Sequence, residues 1–313
     1  MACTNRHLDG VLLFDKPLEL TSNSALQKVR KLFQAQKAGH TGTLDPLATG
    51  LLPICFGEAT KFSKTLLDAD KTYNASLRLG QTTTTGDAEG EILYEHPVNV
   101  ELPKINEVLK RFHGELRQLP PMHSALKHQG RPLYEYIRKG KTVERELRTV
   151  VIHVLQLKSF SGNQMDISVR CSKGTYIRTL AEDIGAALGC GAHLIGLRRT
   201  AIAHFDVGDA FTLRQLEEMN DVQRSACILP LESLMPDMPC LHLDELQTIR
   251  MAQGQRLALD TGLPDGMVRL HGPLGFIGLG LLIGHRLVPD RLLSDVAIQA
   301  AKAGSSSMPR SID

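Results

Sequence analysis

The glycine-rich segment 39–50, GHTGTLDPLATG, presents a single carboxylate, Asp45, with no second acid beside it. Its glycines allow sharp turns and a close approach to a ligand, and Pro46 restricts the chain directly after the acid. A carboxylate held in this way is typical of a nucleophile. A phosphate-binding loop would end in Gly-Lys-Ser/Thr at a helix, and that ending is missing. An ordinary turn aspartate before proline is the alternative.

Two further residues have types and positions that suit the same chemistry. Residues 71–80 alternate as a strand does, and the pattern places Tyr73 on the apolar face and Thr72 on the other. Arg178 lies in the first turn of a helix predicted over 176–188, away from its apolar stripe. A cation there opposes the helix dipole, so we expect it to have an anionic partner elsewhere. The alternatives are an ordinary core tyrosine for Tyr73 and a surface salt bridge for Arg178.

The elements around these residues predict an α+β fold. We expect strands over 10–14, 71–80, 150–160 and 165–171, and helices after Thr21 and over 59–68, 102–112 and 176–188. Residues 51–56 suit a buried strand or loop, and 81–90 suit a loop. A proline-rich link, 229–239, precedes short apolar runs broken by glycines, which predict a small β-rich domain.

Residues 120–149 differ in character from the rest of the chain. Seven lysines or arginines, among them Lys127, Arg138, Lys139 and Lys141, face three glutamates, and tyrosines and histidines lie between them. Interleaved cations and rings suit contact with an RNA backbone and its bases. A solvated helical face is the alternative.

The whole-chain composition narrows the class of protein. The chain has 313 residues, a 42% hydrophobic share and a net charge of +2, so affinity for nucleic acid must come from local patches. Six scattered cysteines without a C-x-x-C pair predict neither a disulfide framework nor a zinc site. No secretion signal or apolar span is evident, so we expect a cytoplasmic protein without membrane contact. Residues 303–313 are expected to form a disordered tail.

Several motifs together resemble one family, the bacterial tRNA pseudouridine-55 synthases of the TruB type. The similarity runs from about residue 10 to 239, and its motifs occur in this order: FDKP, GHTGTLDPLATGLL, KTYNASLRLG, TTTTGDAEG, PPMHSALKHQGRPLYEYIRKG, KGTYIRTLAEDIG and HLIGLRRT. The resemblance implies isomerisation of one uridine in the T arm of tRNA, without a cofactor or a metal. It also implies a pseudouridine synthase core, 1–235, with a central mixed, largely antiparallel sheet, and a PUA-like domain at 240–296.

The resemblance also implies roles for individual residues. Asp45 matches the catalytic aspartate, Tyr73 the tyrosine that stacks on the target base, and Arg178 the basic partner of the aspartate. Residues that match substrate-binding positions of the family are His40, Tyr176, Leu197 and Lys16, and the insertion 120–149 would be a thumb that closes on the T arm through Lys127, Arg138, Lys139 and Lys141.

One departure from the family pattern occurs in the insertion. His123 stands where the family often has Tyr or Phe, so a stacking contact at this position is not carried over.

Three functions are consistent with parts of this sequence. An RNA isomerase needs Asp45, Arg178 and the basic insertion. A protein that only binds tRNA needs the insertion alone. A hydrolase needs a second acid or a histidine base, and no second carboxylate shares the Asp45 loop. We expect the isomerase, acting as a monomer without an obligate protein partner. From Pro230 onwards the chain has seven basic and nine acidic residues, so strong binding to RNA phosphates is not expected there. A purely structural role for this segment therefore explains the sequence as well as RNA contact does.

Overall fold

Strand Lys71–Leu79 lies near the middle of the largest sheet, and its alternating sequence explains that place. Tyr73, Ala75, Leu77 and Leu79 are buried on one face, whereas Asn74 is exposed on the other. A strand with one apolar face stabilises a sheet that is covered on that face by helices. The face predicted for Tyr73 is therefore confirmed.

The computed structural model describes residues 6–295 except 125, 138, 139 and 142, and the chain divides between Leu229 and Pro230 into two compact units. The strands of the first unit are β1 Gly10–Leu12, β2 Phe14–Lys16, β3 Ala38–His40, β4 Ala48–Leu51, β5 Ile54–Phe56, β6 Lys71–Leu79, β7 Gln81–Thr83, β8 Ile92–Glu95, β9 Gly114–Gln118, β10 Lys127–His128, β11 Arg131–Pro132, β12 Arg148–Ser161, β13 Gln164–Cys171, β14 Ala192–Ile202, β15 Phe205–Asp206 and β16 Phe211–Thr212. Its helices are α1 Ser22–Leu32, α2 Lys64–Asp68, α3 Leu102–Lys110, α4 Leu133–Ile137, α5 Ile177–Leu188, α6 Leu213–Glu218 and α7 Asp221–Ala226, with 3₁₀ turns at Gly57–Phe62 and Val207–Asp209.

The main sheet has the strand order β16-β2-β4-β14-β6-β13-β12-β9, with β15 beside β14. Strands β4 and β14 are parallel, as are β16 and β2, and the other neighbours along this path are antiparallel. Helix α5 packs against β14 and α3, and its apolar residues join the core beneath the sheet. The expected mixed, largely antiparallel sheet flanked by helices is confirmed.

The second unit contains a five-stranded sheet and one helix among its described residues. The strands are β17 Cys240–His242, β18 Leu257–Ala258, β19 Gly266–Gly272, β20 Gly275–Ile283 and β21 Arg286–Leu292, in the order β17-β19-β20-β21-β18, with helix α8 Glu245–Ala252 and a 3₁₀ turn at Leu231–Leu234. This confirms the β-rich C-terminal part. The assignment of 1–235 to catalysis and of 240–296 to a PUA-like domain stays a prediction. The tail expected at 303–313 lies outside the described residues.

Two local predictions were wrong. The helix expected over 59–68 breaks at Ser63 into a 3₁₀ turn and the short helix α2. The loop expected over 81–90 begins with strand β7, which pairs with β8. In the first case the sequence indicated an element but not where its hydrogen bonding changes. In the second, a composition rich in threonine and glycine concealed a strand of three residues.

Gly50 permits the close approach of β4 to β14. Its φ is +102°, and a Cβ atom added there would lie 2.2 Å from the backbone oxygen of Arg199. We expect Gly50→Ala to lower the free energy of unfolding by roughly 3 kcal/mol, because both the φ angle and the clash oppose a side chain. Urea denaturation would measure this change.

Gly39→Ala is the matched control, because a Cβ atom at that glycine would make only an ordinary contact at 3.7 Å with Thr60. Equal midpoints for the two alanine variants would contradict the account of Gly50.

Candidate active site

The loop that carries Asp45 is held by the start of helix α1 and by an arginine of β14. The Ser22 hydroxyl donates to the backbone oxygen of Leu44 at 2.9 Å and accepts from the N–H of the same residue at 2.7 Å. Nη2 of Arg199 donates to the backbone oxygen of Gly42 at 3.1 Å. These bonds leave the Asp45 backbone little freedom, so its carboxylate is presented in a defined position.

Arg178 joins Asp45 to a second carboxylate. Its Nη2 lies 3.1 Å from Oδ2 of Asp45, and its Nη1 lies 3.2 Å from Oδ2 of Asp87. The Arg178 side chain is 7% exposed, whereas that of Asp45 is 42% exposed. The predicted partner for this arginine is thus present, and the alternative of a surface salt bridge is wrong. Two carboxylates also offset the unfavourable position of a cation at the start of α5.

Asp87 is the acid that sequence inspection missed. It follows the threonine-rich run after β7 and is buried. Its Oδ1 accepts from the Thr85 hydroxyl at 2.5 Å and from the Glu89 N–H at 3.1 Å, and its Oδ2 is occupied by Arg178. Because both oxygens are engaged, Asp87 can orient Arg178 but is poorly placed to activate a water molecule. The TTTTGDAEG motif, with an acid between small residues, was the available signal.

A cavity of about 240 Å³ opens beside Asp45. Its walls include all three expected catalytic residues, the predicted pocket residues Tyr176 and Leu197, and two basic residues not predicted for the site, Lys71 and Arg199. Tyr73 is buried and faces this space from β6. The lone acid expected from the sequence is therefore one part of a cluster of charges.

Lys16 and His40 lie outside the walls of this cavity. Lys16 is fully buried, and its Nζ donates to the backbone oxygens of Pro17 at 2.9 Å and Leu20 at 2.6 Å. His40 is half-buried, and its Nδ1 has no hydrogen-bond partner among the described residues. That nitrogen therefore makes no bond to the backbone of its own loop.

Burial shapes the protonation of this cluster. Desolvation raises the pKa of Asp45 above its ordinary value, whereas the Arg178 charge acts in the opposite direction and the Asp87 charge raises it further. Burial lowers the pKa of Lys16 to about 8 and that of Lys71 to about 8. Burial also raises the pKa of Tyr73. The guanidinium thus limits, without cancelling, the effect of burial on the acid.

The basic segment begins at the site itself. The backbone oxygen of His123 accepts from Nη2 of Arg178 at 2.6 Å. The segment continues as the β10–β11 hairpin and the short helix α4, which does not match the alternative of one solvated helical face. Lys127 and Lys141 are exposed. Arg138 and Lys139 lie outside the described residues.

The described part of the chain lacks both a cluster of metal ligands and a membrane-spanning helix. Among residues 6–295, apart from the four omitted positions, no group of three or more His, Cys, Asp or Glu side chains could hold a metal ion. No helix in the same part of the chain is long and apolar enough to cross a membrane.

Family models match most of the chain. They are described as TruB family pseudouridylate synthase (N terminal domain) for residues 30–177, tRNA pseudouridylate synthase B C-terminal domain for 178–236, and Pseudouridine synthase II TruB, C-terminal for 239–293. The tRNA pseudouridine synthase B of Azoarcus sp. (strain BH72) is 54% identical over 92% of this chain and 96% of its own length. That of Methylobacillus flagellatus is 51% identical over the same shares.

The chain belongs to the TruB family of pseudouridylate synthases. It is therefore a pseudouridine synthase, an isomerase that acts on RNA.

Solved structures of this fold include more distant relatives. A crystal structure of a Cbf5-Nop10-Gar1 complex matches this TruB family chain with a TM-score of 0.69 and 27% identity, over 90% of this chain and 84% of that one. An H/ACA RNP bound to a substrate RNA containing 2′-deoxyuridine matches with a TM-score of 0.68 and 25% identity, over the same shares.

The charge network of this TruB family site predicts a shift in the pH dependence of catalysis. If Asp45 acts as a carboxylate, the single-turnover rate rises with pH through its raised pKa. Asp87→Asn removes a charge that raises this pKa, so the rising limb should move to lower pH. The plateau rate should fall about tenfold or more, because Arg178 loses one of its two anionic partners. Rates measured from pH 4 to 8 test both effects.

Asp183→Asn is the control, since Asp183 is exposed on the same helix as Arg178. A limb that moves equally in both variants, or moves upwards with Asp87→Asn, contradicts the proposed coupling.

Proposed function

We propose that this enzyme converts uridine 55 in the T arm of tRNA to pseudouridine, in the cytoplasm and without a cofactor. The observation that carries the proposal is the Asp45–Arg178 ion pair at 3.1 Å beside a cavity lined by Tyr73 and Leu197. The names of the curated relatives, tRNA pseudouridine synthase B, support tRNA as the substrate. The T-arm position rests on the resemblance of the motifs.

The reaction exchanges one glycosidic bond for another on the same sugar. The bond from C1′ to N1 of uracil breaks, the base turns, C5 joins C1′, and the hydrogen on C5 leaves as a proton. Asp45 can divide this exchange into easier steps by attacking either C1′ or C6 of the uracil. A walled cavity suits this sequence, because the detached base must stay beside the sugar.

Tyr73 and its neighbours would hold the base during the exchange. The Tyr73 ring can stack on uracil, and its hydroxyl can take part in proton transfer. Tyr176 and Leu197 would line the pocket for the base. His40 would help to displace the target base, and Lys16 would support the site through its positive charge, which acts on Asp45.

The target base must leave the folded T loop before it can react. Extruding a base costs roughly a few kcal/mol of stacking, which contacts elsewhere must offset. We assign much of this compensation to phosphate contacts of the segment 120–149. We expect the enzyme to act as a monomer without an obligate protein partner, although the Cbf5 structure that it resembles is a complex with Nop10 and Gar1.

The two other functions account for less of the site. A protein that only binds tRNA has no need of a buried guanidinium bonded to two carboxylates. A hydrolase needs a base for water, and Asp87, the second acid close by, has both oxygens engaged.

Asp45→Asn separates catalysis from binding. With tRNA labelled with tritium at C5 of uridine, we expect the parent enzyme to release tritium and the variant to release none above background. The variant should bind tRNA nearly as well as the parent, since the change is almost isosteric. Normal tritium release by the variant would remove Asp45 as the nucleophile.

The basic segment is tested by the salt dependence of binding. Replacing Arg138, Lys139 and Lys141 by Ala should weaken tRNA binding. It should also reduce the slope of log K against log salt by about 2 to 3, one phosphate contact being worth about 0.7 to 0.9. Filter binding over a range of salt concentrations gives both values.

The matched control replaces Lys104, Lys110 and Arg111, at and just beyond helix α3, and should leave the slope unchanged. An unchanged slope in the first variant would show that the segment does not grip RNA.

A further inference from the structure

Arg199 is a buried cation that no carboxylate neutralises among the described residues. Its exposed fraction is 1%. Nε donates to the backbone oxygen of Leu51 at 2.7 Å, and Nη2 donates to that of Gly42 at 3.1 Å. The guanidinium also borders the cavity beside Asp45. The Tyr73 side chain is a further hydrogen-bond partner of Arg199. The acceptors found for this full positive charge are thus two backbone carbonyl groups and a phenol, all of them neutral.

The neighbouring arginine shows what an ordinary structural arginine looks like in this strand. Arg198 points to the opposite face of β14, as alternate residues of a strand do. It is 41% exposed and makes a two-pronged ion pair with Asp15, at 3.0 and 2.7 Å. Burying a charge without an opposite charge beside it is costly, so a fold that needed only hydrogen-bond donors at this position would be more stable with an uncharged side chain.

The other cations near the cavity are less suited to stabilise new negative charge. Arg178 is already bonded to Asp45 and Asp87. Lys71 borders the cavity, but its ammonium can lose its proton, and the charges of Asp68 and Asp70 act on it. An arginine keeps its charge at every pH at which the protein is folded. Arg199 is therefore the cation best able to meet an anion that forms in the cavity.

We propose that Arg199 is the counter-charge for the uracil anion that forms when the glycosidic bond breaks. The proposal rests on the isomerase function given above. When Asp45 bonds to C1′, the bond from C1′ to N1 breaks, its electron pair stays on N1 and the negative charge spreads to O2 and O4 of the ring. When C5 of the turned base then bonds to C1′, the bond from Asp45 to C1′ breaks and its electron pair returns to the carboxylate. The proton then lost from C5 restores the neutral base.

The position of Arg199 on the sheet suits this task. It pairs in register with Tyr73 across β14 and β6, on the face that borders the cavity. The base expected to stack on Tyr73 would thus lie on the same side of the sheet as the guanidinium. A fixed cation in a water-poor site stabilises developing charge more strongly than water does.

The test compares leaving groups. Single-turnover rates are measured with tRNA that carries uridine or 5-fluorouridine at the target position, as loss of the parent nucleoside after digestion. Fluorine withdraws electrons, so the fluorinated base is the more stable anion and needs the counter-charge less. Arg199→Gln should lower the rate on uridine on the order of 10²-fold, as loss of an electrostatic donor does, and clearly less on 5-fluorouridine. Arg199→Lys should show a smaller loss of rate on uridine, and that loss should again exceed the loss on 5-fluorouridine.

Arg198→Gln is the matched control and should keep the parent ratio of the two rates. An equal loss on both substrates with Arg199→Gln would show that Arg199 only holds the loop through Gly42, and would overturn the proposal. No loss at all would do the same. If the glutamine variant fails to fold, the lysine variant decides by the same ratio. A parent enzyme inactive on uridine would instead refute the isomerase function itself.

Discussion

The bonding of one guanidinium, that of Arg178, to two carboxylates is the constraint around which the site is built. Asp45 faces the cavity, Asp87 is enclosed, and the arginine between them is itself buried. A buried cation with these partners has one favourable position, so it fixes where the Asp45 carboxylate lies. Its further bond to the His123 backbone oxygen extends the same constraint to the start of the basic segment.

Several buried cations at and near the site lack an acid bonded to them among the described residues, and they lower the stability of the fold. Arg178 is balanced by its acids. Lys16 and Lys71 are buried with backbone oxygens as the acceptors found for them in the described structure, and Arg199 is buried with two backbone oxygens and the Tyr73 side chain. Each buried cation lowers the free energy of unfolding, because carbonyl dipoles only partly replace the hydration that the cation loses. Of these three cations, Lys71 and Arg199 border the cavity. The same burial also disfavours the charged form of Asp45, because desolvation raises the pKa of its carboxyl group.

The sequence predicts the parts of this fold whose signal is local. The apolar stripe of α5, the alternation of β6 and the glycine loop of Asp45 each follow from a few adjacent residues. Asp87 could not be predicted as a partner, because nothing near position 87 indicates Arg178. The doublet Arg198–Arg199 likewise suggests two surface cations. Only the pairing of β14 with β4 and β6 shows that one is exposed and the other enclosed.

Asp45, Asp87 and His123, which all bond to Arg178, lie 133, 91 and 55 residues from it along the chain. Contacts of such sequence separation form late, once strands from distant parts of the chain have paired. A partly folded or newly synthesised chain therefore has the glycine loop and its acid but not the guanidinium that positions the acid. If Asp45 is the nucleophile, glycosidic-bond cleavage therefore requires the folding step that brings Arg178 to it, and enzymatic turnover during refolding reports this long-range assembly rather than the formation of any single motif.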